Sequence, residues 1–355
     1  KAVMGFAYLR DHFRMPLFDW DPSGQYSKES AYLLTYDDEG KVIRRSITDE
    51  DKKEPSGTEA DGPHSSEIFA DGAIDLIKTH DSDHPFFMYL AFHAPHDPRQ
   101  APEAYRQLYP LESIELTPSY LPQHPFDNGE MTIRDEALAP WPRTPEIARQ
   151  HLAAYYAIIT HLDAQIGRVL AALESSGKAD NTIIVFAGDS GLAVGNHGLM
   201  GKQNLYDEDG IHVPLVFAGK LKGGGKRIPA FSYLHDVFPT LCQLADVETP
   251  ESVSGKSLVP LIRGEADQVR ESTYHAYRNL MRAYRKGDFK LIEYFKGADR
   301  KGVVQGSRVT QLFNVKEDPW EMTDLSFLPE YRELVKQMQN GMKLEAKKLG
   351  DELQF

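Results

Sequence analysis

The apolar residues of this chain fall into runs of three periodicities, and each predicts a different element. Between His64 and His80, the residues Ile68, Phe69, Ala73, Ile74 and Ile77 recur at helical spacing, the mark of a helix with one apolar face. A longer helix is predicted to start at Thr144 and Pro145, an N-cap followed by a first-turn proline. It continues through Leu152, Tyr155, Ile159, Leu162, Ile166, Val169 and Leu173 and stops at Gly177. Three short unbroken runs, Phe86 to Phe92, Ile183 to Ala187 and Val213 to Phe217, have the length and composition of strands covered on both faces, as in parallel sheets.

This alternation of helix and strand predicts an α/β fold over residues 1–270, with a mostly parallel central sheet flanked by helices. Beyond residue 270 the period changes to two. Met281 to Arg285, Phe289 to Tyr294 and Thr310 to Val315 alternate apolar with polar residues, which predicts antiparallel strands with one wet face. A charged amphipathic helix over residues 330–348 completes a small C-terminal α+β part, residues 271–355. Residues 1–62 are polar and turn-rich, with Asp49 to Gly57 reading as a solvated loop and Gly223 to Lys226 as a surface turn. Asp236 is expected to cap the helix that begins at Val237. The Pro-rich connection at 107–143 is expected to form the rim of a site, since connections this long in compact domains are usually functional or disordered.

Composition narrows the function classes. The 355 residues are 41% hydrophobic and 26% charged, an ordinary globular balance. A net charge of −13 argues against a general nucleic-acid binder, which needs clustered Lys and Arg. No run approaches the roughly 18 apolar residues of a membrane span. Cys242 is the only cysteine, so a Cys-rich metal site and an internal disulfide are excluded. Its apolar surroundings predict an inert, buried thiol.

Open α/β sheets bind ligands beyond the carboxyl ends of their strands, and two predicted ends carry chemistry. The first strand leads into His93 and His96. The second leads into Gly188, Asp189, Ser190 and Gly191, followed by Asn196, His197, Gly198 and Lys202. Asp189 reads equally as a hard-cation ligand and as a turn residue capping its own loop. Lys202 can offset an anionic ester as a point charge, or be a solvated surface lysine. His96 has the chemistry of a general acid or base.

Taken in order, Pro85 to Pro98, Asp180 to Gly191 and His197 to Tyr206 resemble the type I sulfatases, of the alkaline phosphatase superfamily. The stretches His235 to Leu241, Gly255 to Leu261 and Leu312 to Glu321 extend the likeness. The resemblance implies an alkaline phosphatase-like fold and hydrolysis of sulfate monoesters by a formylglycine nucleophile with the aid of one Ca²⁺. It implies that His96 contacts sulfate and protonates the leaving oxygen, that Lys202 binds sulfate, and that Asp189 ligates calcium. Ser190 stands where the family has Asn or His and is the next candidate ligand; His197 resembles a histidine near the substrate pocket, a structural role being equally open. After Tyr206 the segment Asp207 to His212 is one residue longer than the family pattern and ends in His212 in place of Arg, which leaves His212 an expected packing role.

The family's N-terminal strand with paired aspartates, its Cys-x-Pro-Ser-Arg segment and its Gly-Lys-Trp-His stretch have no counterpart here. The chain therefore reads as a C-terminal fragment, inactive alone. The resemblance implies a sulfated small molecule or carbohydrate as substrate, and an exported or lysosomal location. It leaves the oligomeric state open. Two other readings remain: a phosphoesterase or phosphonate hydrolase on the same fold, and a non-catalytic relative that binds sulfated glycans.

Overall fold

A computed structural model describes three strands before residue 64 and then residues 64–352, apart from 82–83, 97–98, 100, 222–224 and 299–301. The expected solvated loop at 49–57 and half of the expected turn at 223–226 lie outside the described residues. Strands β1 (His12–Arg14), β2 (Tyr32–Tyr36) and β3 (Val42–Ser46) form an antiparallel sheet in the order 1-2-3. Contacts divide the chain into two units, one of residues 1–115 and 149–182, the other of residues 116–148 and 183–355.

In the first unit the helix expected after His64 runs Ser65–Thr79 (α1). His64 caps it: its Nδ1 accepts from Ser66 N–H at 3.1 Å, and Glu67 returns a bond to His64 N–H at 3.2 Å, a reciprocal capping box built on histidine. A single turn, α2, follows at Glu103–Arg106, and the long helix α3 spans Pro145–Ser175. Thr144 Oγ1 caps α3 through Ile147 N–H at 3.2 Å. The buried stripe of α3 holds Leu152, Ile158, Leu162, Val169 and Leu173, whereas Ile159 is 37% exposed. The apolar face therefore sits one position earlier there than the sequence spacing suggested.

Phe86 to Phe92 pairs with no strand among the described residues. Its burial still alternates with period two, Phe87 and Tyr89 being exposed. The two other expected core strands, β4 (Ile183–Ala187) and β5 (Leu215–Gly219), pair with each other antiparallel. The ladders among the described residues are thus antiparallel, and a parallel register between these runs is not what the structure shows.

Helix α4 (Val237–Leu244) carries Cys242 into the interior, and α5 (Val259–Arg263) follows. Asp236 has a structural role, though not the expected one. Its carboxylate accepts from Tyr233 N–H, Lys256 N–H and both Arg270 Nη atoms instead of from the helix. It staples three segments together from a fully buried position.

The C-terminal sheet runs β11-β8-β7-β6, all antiparallel, from β6 (Ser272–Tyr277), β7 (Met281–Lys286), β8 (Phe289–Tyr294) and β11 (Val309–Asn314). β9 (Gly297–Ala298) and β10 (Val304–Gln305) make a separate two-residue pair. Leu291, Leu312, Tyr284 and Tyr274 face helix α6 (Arg332–Lys348), where Met338, Met342 and Ala346 meet them. Gly341 lets this helix approach closely, because a Cβ there would stand 2.7 Å from the Tyr284 ring.

The opposite face was expected to be wet, and it is not. Ile292, Ala283, Met281, Tyr294 and Phe313 pack against Leu199, Leu205 and Tyr206. The polar positions of the alternation are buried because each has a partner. Lys290, wholly buried, bonds Asp207 and Glu321 at 2.7 Å each. Arg285 bonds the other oxygen of Asp207, and Gln311 takes the Tyr206 hydroxyl at 3.1 Å. On the helix side, Arg282 pairs with Asp351 and Glu293 with Gln339.

Burial works against charge on Asp207, but Lys290 and Arg285 outweigh it and hold the carboxyl below its usual range. At Glu321 burial dominates and pushes the carboxyl up to about 7. Removing one partner of a buried ion group costs about 3–5 kcal/mol, because the others stay buried unpaired. Lys290→Met is therefore expected to destabilise the chain by about that amount at pH 8. At pH 5 the loss should shrink. With Lys290 gone, Glu321 loses the cation that opposes its burial and keeps a folded pKa above its unfolded one, so protonation relieves the penalty as pH falls. Urea unfolding at both pH values measures the difference, and equal stability of the two proteins at pH 8 would contradict this account.

Candidate functional site

Four of the five residues singled out by sequence lie in the second unit, on one long loop between β4 and β5. Asp189 follows the last residues of β4, where Gly188 N–H still bonds Pro214 O at 3.1 Å, and its side chain is exposed; Ser190 is half-buried. The loop then closes on itself. Gly191 N–H reaches Gly210 O at 2.9 Å, Ala193 N–H reaches Gly201 O at 3.1 Å, and Gly195 N–H reaches Leu199 O at 2.7 Å. The Ala193 to Gly201 bond sets the residue before Lys202 against the chain three positions after Ser190. Lys202 is half-buried and enters no ion pair among the described residues.

His197 lies inside this loop and not on its surface. Its ring is 6% exposed and stacks on Tyr206 at 3.7 Å with planes 5° apart. Its Nε2 is 3.5 Å from Asp209 Oδ2, and His124 Nδ1 lies 2.7 Å from its carbonyl. Burial drives its pKa down to about 3, aided by His124 and the Lys290 charge, and drives His124 down to about 4. Burial also pushes Asp209 up to about 7, so a neutral imidazole faces a carboxyl that holds its proton up to neutral pH. Of the two roles left open for His197, this geometry favours the structural one.

The segment after Tyr206, expected to be one residue longer than the family pattern, takes the form of a wide turn. Asp207–Ile211 is a single π-turn, with Ile211 N–H bonded to Tyr206 O at 3.1 Å and His212 N–H to Asp207 O at 2.9 Å. His212 does not pack: its side chain is 68% exposed and lies 3.5 Å from Glu208.

Sequence reasoning missed what holds the loop. The 107–143 connection contributes its second half to this unit, where Tyr120 bridges Asn196 and His197 N–H bonds Ser119 O at 2.6 Å. Gly198, at φ +70°, passes so close to this strand that a Cβ would stand 2.2 Å from the backbone of Gln123 and His124. Glu136, 3% exposed, accepts from Met200 N–H and Gly201 N–H at 3.0 Å each. Wholly buried Arg143 bonds Glu136 Oε2 and Gly198 O. Asp135 takes Gln203 Nε2 at 2.8 Å. The acidic pair Asp135-Glu136 inside a Pro-rich stretch was the only sequence signal, and it has no period to flag it.

His96 belongs to the first unit, in a turn where its N–H bonds His93 O at 3.0 Å. Among the described residues no three His, Cys, Asp or Glu side chains converge as a cation site. Asp189 and Ser190 are adjacent hard oxygen donors, which fits part of a Ca²⁺ shell of roughly six to eight oxygens. They do not make a whole one.

The sulfatase family profile matches residues 3–247, and that of the N-sulphoglucosamine sulphohydrolase C-terminal region matches residues 195–348. The chain is 30% identical over 276 residues to an arylsulfatase of Clostridium perfringens, covering 77% of this chain and 56% of that protein. It is 29% identical over 296 residues to the multifunctional alkaline phosphatase superfamily protein PehA of Trinickia caryophylli, covering 76% and 57%. It thus spans about half the length of these relatives. The solved structure of BT4656 in complex with its substrate D-glucosamine-2-N,6-O-disulfate matches with a TM-score of 0.69 at 22% identity, covering 93% of this chain and 76% of that one. That likeness shows the alkaline phosphatase-like fold, with the C-terminal antiparallel sheet and helix described above. With the family profile spanning residues 3–247 and the loop from Asp189 to Lys202 inside it, this chain belongs to the sulfatase family.

Proposed function

We propose that the complete protein hydrolyses sulfate monoesters of carbohydrates. The observation that carries this reading is Lys202, an ammonium with no ion pair among the described residues, next to backbone amides held by Glu136, inside the family match. A sulfated sugar is the substrate class that the N-sulphoglucosamine sulphohydrolase profile and the ligand named for BT4656 support.

In this reading Lys202 binds the sulfate oxygens and offsets the charge that builds on them as the ester bond breaks. His96 gives a proton to the departing alcohol oxygen, so that the sugar leaves as a hydroxyl and not as an alkoxide. Asp189 and Ser190 contribute to holding a divalent cation of calcium type, which when bound supplies further positive charge at the sulfate, and the family's formylglycine supplies the attacking oxygen. A phosphoesterase or phosphonate hydrolase is the second reading, since a solved phosphonate monoester hydrolase of Agrobacterium radiobacter shares the fold. Comparing the intact protein on sulfate and phosphate esters of one alcohol decides between them, and faster turnover of the phosphate ester would replace the sulfatase reading.

Lys202→Ala in the intact protein is expected to lower kcat/KM on a sulfate monoester about ten- to a hundredfold, since a lost bond to a charged group costs roughly 1.5–3 kcal/mol. Its melting temperature should stay close to wild type. Lys202→Arg should recover only part of the loss, because a planar fork does not reproduce a point charge. Steady-state kinetics beside thermal melts measure both; unchanged efficiency in the alanine variant would return Lys202 to a surface role. His96→Ala is expected to cost about a hundredfold or more on an alkyl sulfate and far less on an aryl sulfate with an acidic phenol. Equal losses on the two substrates would remove the proton-donor role.

A further inference from the structure

Among the described residues the Lys202 ammonium enters no ion pair and feels Asp135 only through its charge, so its position depends largely on its backbone. That backbone is tied down by groups from one short stretch of the 107–143 connection. Glu136 accepts from the two consecutive amides before Lys202, those of Met200 and Gly201. On the other side of the lysine, the side chain of Gln203 bonds Asp135. Arg143 lies behind, joined to Glu136 through its side chain and its carbonyl and to Gly198 O at 2.8 Å, so one guanidinium links the carboxylate to the start of the same loop.

The charges are arranged to leave the lysine available. Glu136 is 3% exposed and its charge is met by Arg143, itself wholly buried. Asp135 pairs with Arg134. Both acids therefore bond to partners other than Lys202; Asp135 still acts on it through charge, and what Glu136 gives the lysine is a fixed backbone. A carboxylate that receives two adjacent N–H groups fixes the peptide planes on either side of Met200, the second of which ends at Gly201, the residue before Lys202.

We infer that Glu136 is a positioning residue for Lys202, acting on the anion-binding ammonium through the Met200 and Gly201 amides. The inference rests on the sulfate-binding role proposed for Lys202 and adds the element that aims it. A group placed about 1 Å off by a distant change can lose on the order of a hundredfold in rate, so the effect of Glu136 should be visible in catalysis and not only in stability.

The test is a double-mutant cycle in the intact protein with Glu136→Gln and Lys202→Ala. The glutamine keeps the size of the side chain but turns an NH₂ toward the amides or toward Arg143. Glu136→Gln alone is expected to lower kcat/KM on a sulfate monoester about tenfold. In the Lys202→Ala background the same change should cost less than twofold, because the group it aims is gone. A tenfold loss that persists in that background would overturn the inference and leave Glu136 a purely structural anchor. A second readout does not need turnover: Lys202 acetylation by acetic anhydride, followed by mass spectrometry, should change at least threefold in Glu136→Gln while other lysines keep their rates. An unchanged Lys202 rate overturns the positioning role even if the wild-type protein cleaves no sulfate ester, an outcome that would by itself sink only the sulfatase reading.

Discussion

The second unit depends on one buried ammonium. Lys290 projects from the middle strands of the C-terminal sheet into a space from which water is excluded, and it meets Asp207 and Glu321 there. Asp207 begins the π-turn, and Tyr206, the residue before it, stacks on His197 and bonds Gln311. A charge buried this deeply is tolerated only with close partners. The sheet therefore dictates where the loop from Gly191 to Ile211 must sit, and the loop in turn dictates where Lys202 sits. Apolar packing of Leu199, Leu205 and Tyr206 on Ile292 and Phe313 adds the area term, but the ion group supplies the register.

A small C-terminal sheet is easily seen as an appendage. Here one of its faces carries the loop that contains Lys202, through Leu199, Leu205 and Tyr206. Its alternation of apolar and polar residues looks like that of a half-exposed sheet, yet Arg282, Lys290, Glu293 and Gln311 are all buried. Each inward polar group is answered by a carboxyl, an amide or a hydroxyl from another segment. Period two identified the strands correctly and mistook the environment, because a sequence shows the residue types along one strand and not the partners that come from far along the chain.

The same distinction separates what else could be read. Helices α1 and α3 were legible to within a residue or two, since periodicity and caps are local, even with histidine as the cap of α1. The candidate residues Asp189, Ser190 and Lys202 were legible as a loop after a strand, because family motifs are contiguous. Glu136 and Arg143 were not. They act across 55 to 65 residues of chain, and no local pattern marks a carboxylate that will cap amides elsewhere. The pairing of β4 with β5 was also out of reach, as a short apolar run fits parallel and antiparallel neighbours alike.

Gly341 has an effect on assembly as well as on packing. The Tyr284 ring occupies the space that any side chain at that position would need, so the helix carries a notch at one place along its length. Sliding α6 by one turn would bring Gln337 or Glu345 to the ring, and neither can give up its Cβ. The helix thus has a single depth and a single rotation at which it can seat, and a glycine that weakens it as an isolated segment by about 1 kcal/mol acts as the indexing mark that excludes every other docked arrangement.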